Sequence, residues 1–154
     1  MRPRILVDAD ACPVKEEVYK VAYRLGVSVA VVANSWFRVP VHPLIEQVVV
    51  GDHFDAADDW IAERASAATI VVTTDILLAG RCVKAGATVL SPTGRSFTAN
   101  SIGSAVATRA IMADLRAGGD IVGGPAPFST ADRSRFLGSL DAACVRLRRA
   151  AASV

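Results

Sequence analysis

ILVDADACPVK, residues 5–15, is the stretch on which the fold turns. An apolar run, Ile5-Leu6-Val7, ends in Asp8 and Asp10. A small residue, a cysteine and a proline follow, and then a helix-like segment. The pattern predicts a buried strand that delivers carboxylates to its C-terminal end and passes at once into a helix. In open α/β sheets that edge is where ligands bind. Two carboxylates placed there are costly unless a cation or a shared proton neutralises them. A second apolar run, Thr69 to Thr73, ends the same way in Asp75.

Outward from that stretch, strand and helix signals alternate. A helix is expected over Val14 to Leu25, with Pro13 near its first turn and Gly26 as its stop. Val27 to Ala33 is continuous and β-rich, as in a strand buried on both faces. Asn34 to Pro43 is a proline-bearing loop. Gln47 to Val50 is a short strand, and Ala56 to Ala65 a helix with Asp55 as its expected N-cap. After the strand at Thr69 come a helix from Ile76 to Ala85, a strand from Ala87 to Leu90, a long helix from Asn100 to Ala117 and a last helix from Thr130 to Arg149. This rhythm predicts an α/β fold: a three-layer α/β/α sandwich around a mainly parallel sheet. One domain over residues 1–149 is expected, with 150–154 a frayed tail.

Composition narrows the class. The 154 residues suffice for one domain with a real core, and 52% are hydrophobic but only 6% aromatic, so small apolar side chains do most of the packing. No apolar run approaches the roughly 20 residues that span a bilayer. A basic start before a very short apolar stretch is no signal peptide, and a cytoplasmic protein is expected. The three cysteines, Cys12, Cys82 and Cys144, are widely spaced and form no CxxC pair, which argues against a disulfide frame or a zinc knuckle. The net charge of +2 is too small to imply nucleic-acid binding by itself.

The acids carry the chemistry. Asp8, Asp10 and Asp75 sit at strand ends, and Asp58 and Asp59 open a helix. Helix neighbours diverge by about 100°, so one of that pair faces the site. Asp59 falls in line with Asp55 and Glu63, which leaves Asp58 as the inward residue. Three or four aspartates on one sheet edge suit a hard octahedral cation, Mg²⁺ or Mn²⁺. Such an ion activates water and stabilises charge on a phosphodiester. Lys15 follows Asp8 and Asp10 within a turn and would neutralise them or contact a substrate phosphate. Arg81 would pair with an aspartate or bind phosphate. The loop Thr93-Gly94-Arg95, leaving another strand end, offers hydroxyls, amides and a guanidinium to a phosphate, or is a turn that caps the next helix. Cys12 lies near a helix start but has no histidine partner, so a packing role is expected. Trp36 and Phe37 would anchor their loop in the core or stack on bases. Arg133 would bind a phosphate or pair with Asp132 or with C-terminal backbone, and the pairing is expected.

Five separated blocks, VDADACPVK (7–15), FDAADDWI (54–61), VVTTDILLA (71–79), PTGRSFTANSI (92–102) and GGPAPFSTADRSRF (123–136), resemble the YaiI/YqxD family of small bacterial proteins. That family is in turn similar to PIN-like and NYN-type nuclease domains. Those sites use an aspartate on the first strand, a mid-chain helix acid and an aspartate after a later strand. Asp8, then Asp58 or Asp59, then Asp75 match in order. The resemblance implies a metal-dependent ribonuclease fold, with Asp8, Asp58, Asp59 and Asp75 as metal ligands and RNA, before DNA, as partner. The fourth acid of many such sites has no direct counterpart, and Asp10 would fill it. Two other readings stand beside this one. The VDAD opening resembles haloacid-dehalogenase phosphatases, with Asp8 as nucleophile, Asp10 as general acid and Thr73 or Thr74 as the second motif. The later acidic pair of that family is missing here. The third reading is a non-catalytic RNA-binding module of the same fold.

Overall fold

A computed structural model describes residues 2–51, 53, 55–104 and 128–152. Five strands, β1 (Arg4–Asp8), β2 (Ser28–Ala33), β3 (Ile45–Val49), β4 (Thr69–Val72) and β5 (Thr88–Leu90), form one sheet. Every pairing is parallel, and the order across the sheet is β3-β2-β1-β4-β5. The helices described from end to end are α1 (Lys15–Leu25), α2 (Ala56–Arg64), α3 (Ile76–Lys84) and α4 (Thr130–Ala152). A short 3-10 turn, Ala9–Ala11, joins β1 to α1.

The period of two along each strand divides the core into two faces. Ile5, Val7, Val29, Val31, Ile70, Val72 and Leu90 pack on one side with Val18 and Ala22 of α1 and Phe136 and Leu140 of α4. Leu6, Ala30, Val32, Val71 and Val89 pack on the other with Ala57 and Ile61 of α2 and Leu78, Ala79 and Cys82 of α3. The result is a three-layer α/β/α arrangement. Phe136 and Leu140 are fully buried, and each contributes about 1.5–3 kcal/mol to holding α4 on its face. By the same period Asp8 follows Leu6 toward the α2/α3 face.

Element ends differ from the sequence reading in small, explicable ways. α1 starts at Lys15, because Val14 is its cap, and Gly26 closes it in the left-handed region at φ 66°. β3 begins at Ile45, two residues early. Residues 150–152, expected as frayed tail, are helical in α4. Consecutive alanines, the best helix formers, simply carry the helix on. The helix expected from Asn100 is seen over residues 99–104. The rest of it, the loop that follows and the Gly123-Gly124-Pro125 turn lie outside the described residues.

The connection from β2 to β3 has no helix. Residues 34–44 run from the C-terminal end of β2 back to the start of β3, and Phe37 and Val39 pack on the core in place of a crossover helix.

Candidate functional site

The sheet order reverses beside β1. The chain moves from β1 outward to β2 and β3, then returns to the other side of β1 as β4. In such sheets the crevice outside the strand ends at this point is the natural ligand site. A hollow of about 490 Å³ opens there, lined by Asp8, Asp10, Asp55, Asp58, Asp75 and Arg81, with Leu77 and Leu78 on its α3 side.

Asp8 ends β1 and is 8% exposed. Its Oδ2 accepts a hydrogen bond from Thr73 Oγ1 at 2.9 Å. Thr73 Oγ1 in turn accepts from the Asp75 amide at 3.0 Å. One buried hydroxyl therefore ties the two strand ends together and fixes the Asp8 carboxyl. Burial raises the pKa of Asp8. The Thr73 hydrogen bond works against that rise, and the charges of Asp10 and Asp75 add to it. Asp75 has a double position. Its Oδ1 caps α3 by accepting from the amides of Leu77 (2.9 Å) and Leu78 (3.1 Å), while the residue lines the pocket.

Asp58, in the first turn of α2, is pushed up to about 6, first by burial and then by the charges of Asp75, Asp8 and Asp55, with Arg81 opposing. Asp59, its neighbour, is not among the lining residues. Its carboxylate pairs with Arg81 at 2.8 Å, and both side chains are half exposed, so the pair contributes at most about 1 kcal/mol. Asp55 was expected only to cap α2. Its side chain makes no cap hydrogen bond and lines the acidic hollow instead. Asp10, on the exposed 3-10 turn, completes the rim.

The basic and hydroxyl residues expected here divide differently. Arg81 lines the hollow while paired with Asp59. Lys15 does not line it. Its ammonium sits 5.1 Å from the centre of the Phe37 ring, because the first turn of α1 points it across the α1 face toward the 34–44 segment. Thr93 and Arg95 do not line it either. Their loop folds back on β5 through a Leu90–Ser96 bridge and packs on α4, where Ser139 Oγ donates to the Gly94 carbonyl at 2.8 Å. They line a separate hollow with Asp132 and Arg135, which pair with each other. Arg133 bonds the Pro13 carbonyl at 2.8 Å and approaches Glu17, rather than pairing with Asp132. The Cys12 thiol is buried and pushed up to about 11, which fits a packing residue.

Two features were missed by the sequence reading. Thr73 holds Asp8 rather than facing a ligand; its place at the end of β4, two residues before Asp75, was the available clue. Leu77 is 65% exposed and lends the acidic pocket an apolar side.

The fit to a cation is mixed. Five carboxylates face one guanidinium that is already paired, so negative charge is in surplus and the donors are hard oxygens, as Mg²⁺ or Mn²⁺ prefers. Among the described residues, however, no group of three or more acidic, histidine or cysteine side chains converges tightly enough to hold a metal ion. One oxygen of Asp8 is held by Thr73, one oxygen of Asp75 by the α3 amides, and Asp59 is paired with Arg81.

Residues 6–146, from β1 into α4 and including every pocket residue, match the family described as "Uncharacterized BCR, YaiI/YqxD family". The chain belongs to the YaiI/YqxD family. It is 71% identical over 148 residues to a UPF0178 protein of Sphingopyxis alaskensis, covering 96% of each chain. It is 59% identical over 150 residues to one of Nitrobacter winogradskyi, covering 97% of this chain and 96% of the relative. A UPF0178 protein of Rhodopseudomonas palustris is 60% identical over 146 residues, 95% of this chain and 92% of its own. No solved structure gives a significant match. Among the described residues of this YaiI/YqxD chain, no helix is long and apolar enough to cross a membrane.

Proposed function

We propose that this YaiI/YqxD chain is a divalent-metal-dependent phosphodiesterase, with RNA rather than DNA as its substrate. One observation carries the reading: a buried, oriented Asp8 at the switch point shares a single hollow with Asp10, Asp58 and Asp75. Mg²⁺ keeps several waters and commonly takes only one or two carboxylates directly. A pocket without a closed three-carboxylate shell is compatible with that habit. Asp8 and Asp75 would hold the ion, and Asp58 and Asp10 would accept hydrogen bonds from its waters. When bound, the ion would supply an acidified water and neutralise charge on the scissile phosphate.

The chain's own groups do the rest. Thr73 keeps Asp8 in one orientation. Without the ion Asp58 is pushed up to about 6; a bound cation would lower it and keep the carboxylate ionised as an acceptor for the ion's waters. Asp59 holds Arg81 at the pocket wall, where a phosphate would compete for it. The phosphatase reading is weaker on the same geometry. Of its two threonine candidates, Thr73 has its hydroxyl proton on Asp8 and its oxygen on the Asp75 amide, which leaves only the exposed Thr74 for a phosphoryl group.

The test is cleavage of varied RNAs with Mn²⁺, comparing wild type with Asp8→Asn. Wild type should cleave and the variant should lose the activity while keeping its fold. Silence of wild type across substrates, or equal activity in Asp8→Asn, sinks the reading. Trapping of a phospho-aspartate would move it to the phosphatase class.

A further inference from the structure

On the edge that carries Asp8, one strand over, β2 gives way to Asn34-Ser35-Trp36-Phe37-Arg38-Val39. From Trp36 to Val39 the side chains alternate out and in. Phe37 and Val39 are packed on the core. The Gln47 amide donates to the Phe37 carbonyl, and the Lys15 ammonium lies over the Phe37 ring. The segment is thus pinned at Phe37. Trp36, with no such inward contact, is 74% exposed, and Arg38 is exposed two residues on. Lys15 and Arg38 share a hollow of about 290 Å³ with Tyr19 and Glu16.

An exposed apolar residue is ordinary by itself. This one is an indole on an anchored segment, with the exposed Arg38 two residues on, at a strand end next to the one that carries Asp8. A pocket of five carboxylates repels a polyanion, so a nucleic acid reaching it needs positive charge close by. Arg38 on this segment and Lys15 at the start of α1 lie past the ends of β2 and β1, which are neighbours in the sheet. An indole offers a face on which any base can stack, but only when the base is unpaired. We propose that Trp36, with Lys15 and Arg38, is a binding arm for single-stranded nucleic acid that leads the strand toward the acidic pocket. The proposal rests on the phosphodiesterase reading for what the pocket does to the strand, and stands apart from it for binding.

The test is the affinity of a short fluorescent oligouridine, measured by anisotropy in Mg²⁺ on the Asp8→Asn protein, so that cleavage does not intrude, and repeated on wild type. Trp36→Ala should weaken binding about tenfold or more, and Trp36→Phe should retain most of it. Arg38→Ala should lower the slope of log affinity against log salt by about one. Annealing the complementary strand should remove the dependence on Trp36. The melting temperature of Trp36→Ala should not change, since the side chain is exposed. Equal affinity of Trp36→Ala and its parent, or no binding by the parent at low salt, overturns the arm. So does Trp36-dependent binding to anionic phosphatidylserine vesicles with no effect on oligouridine. Trp36-dependent binding without any Mn²⁺-dependent cleavage would remove the phosphodiesterase reading and leave the arm. Cleavage that ignores Trp36 would do the reverse.

Discussion

Two regions of the same sheet edge hold similar polar residues in different surroundings. The ends of β1 and β4 carry Asp8, Asp10 and Asp75, and the end of β5 carries Thr93, Gly94 and Arg95. At the first, charge is left over: five carboxylates line one hollow, and burial raises the pKa of both Asp8 and Asp58. At the second, the hydroxyls and the Gly94 carbonyl are spent inside the protein, and Arg95 stands exposed beside an ion pair of α4. The Ser91 and Thr93 hydroxyls bond each other at 2.8 Å, Ser139 takes the Gly94 carbonyl, and Asp132 answers Arg135. The β1 and β4 ends differ from the β5 end in that five like charges share one hollow with a single guanidinium.

The contrast is broken most directly by removing one group from each loop. Asp8→Asn should lower cleavage by about a thousandfold or more, with the melting temperature unchanged or higher, because a buried carboxylate is replaced by a neutral group. Arg95→Ala should leave the rate within about a factor of two. Comparable losses from both would mean that the β5 loop belongs to the site. The reverse pattern is expected for stability. Gly94 has φ 89°, and a Cβ there would stand 2.8 Å from the Arg135 backbone. Gly94→Ala should cost about 2–4 kcal/mol and lower the melting temperature by roughly 5–10 °C. Stabilisation by Mn²⁺, read as the difference in melting temperature with and without the ion, should survive it.

Thr73→Val sharpens the comparison from inside the pocket. The valine keeps the shape but leaves the Asp75 amide without its acceptor and Asp8 without its donor. A loss of about 1–2 kcal/mol is expected. Because the lost hydrogen bond was the one holding the Asp8 pKa down, Mn²⁺ stabilisation should begin at higher pH in this variant. A thermal-shift titration against pH reads both effects. An unmoved pH profile would mean that Thr73 does not orient the carboxyl.

Much of this was legible in the chain. Parallel strands buried on both faces read as near-continuous apolar runs, so Ile5-Leu6-Val7, Val27 to Ala33 and Thr69 to Thr73 mark three strands whose ends fall within a residue or two of those in the structure. An acid that ends such a run has one edge on which to stand. Five blocks in order sufficed for the family. What was not legible depended on contacts between distant segments. Nothing local says that Lys15 will turn to Phe37, that the 91–96 loop will be drawn down onto α4, or that Arg133 will reach Pro13. Asp55 reads as a cap by its position, but its side chain turns to the hollow instead. Thr73 is a strand residue until the partner of its hydroxyl is known.

The smallest effect is also the sharpest probe of surplus charge. In the folded chain Asp58 titrates near 6, against an ordinary value of 3.8. Below about pH 4 the group is protonated in both folded and unfolded chains, and the protonated form favours folding. As pH rises through about 6, the folded state must ionise a carboxyl that the unfolded state has already ionised, and that contribution is lost. Asn carries no charge at any pH. Asp58→Asn should therefore melt about 1–3 °C higher than wild type near pH 7.5 without metal and show no gain near pH 4; the effect is small because the side chain is partly exposed and screened. Mn²⁺ should narrow or invert the ranking near pH 7.5, since the cation relieves in wild type the repulsion that the variant has already removed. The same ion should do less near pH 5, where protons compete for the carboxylates. If Asp58→Asn instead melts lower than wild type near pH 7.5 without metal, the carboxylate is satisfied by its surroundings. The hollow then holds no uncancelled charge, and its difference from the β5 loop disappears.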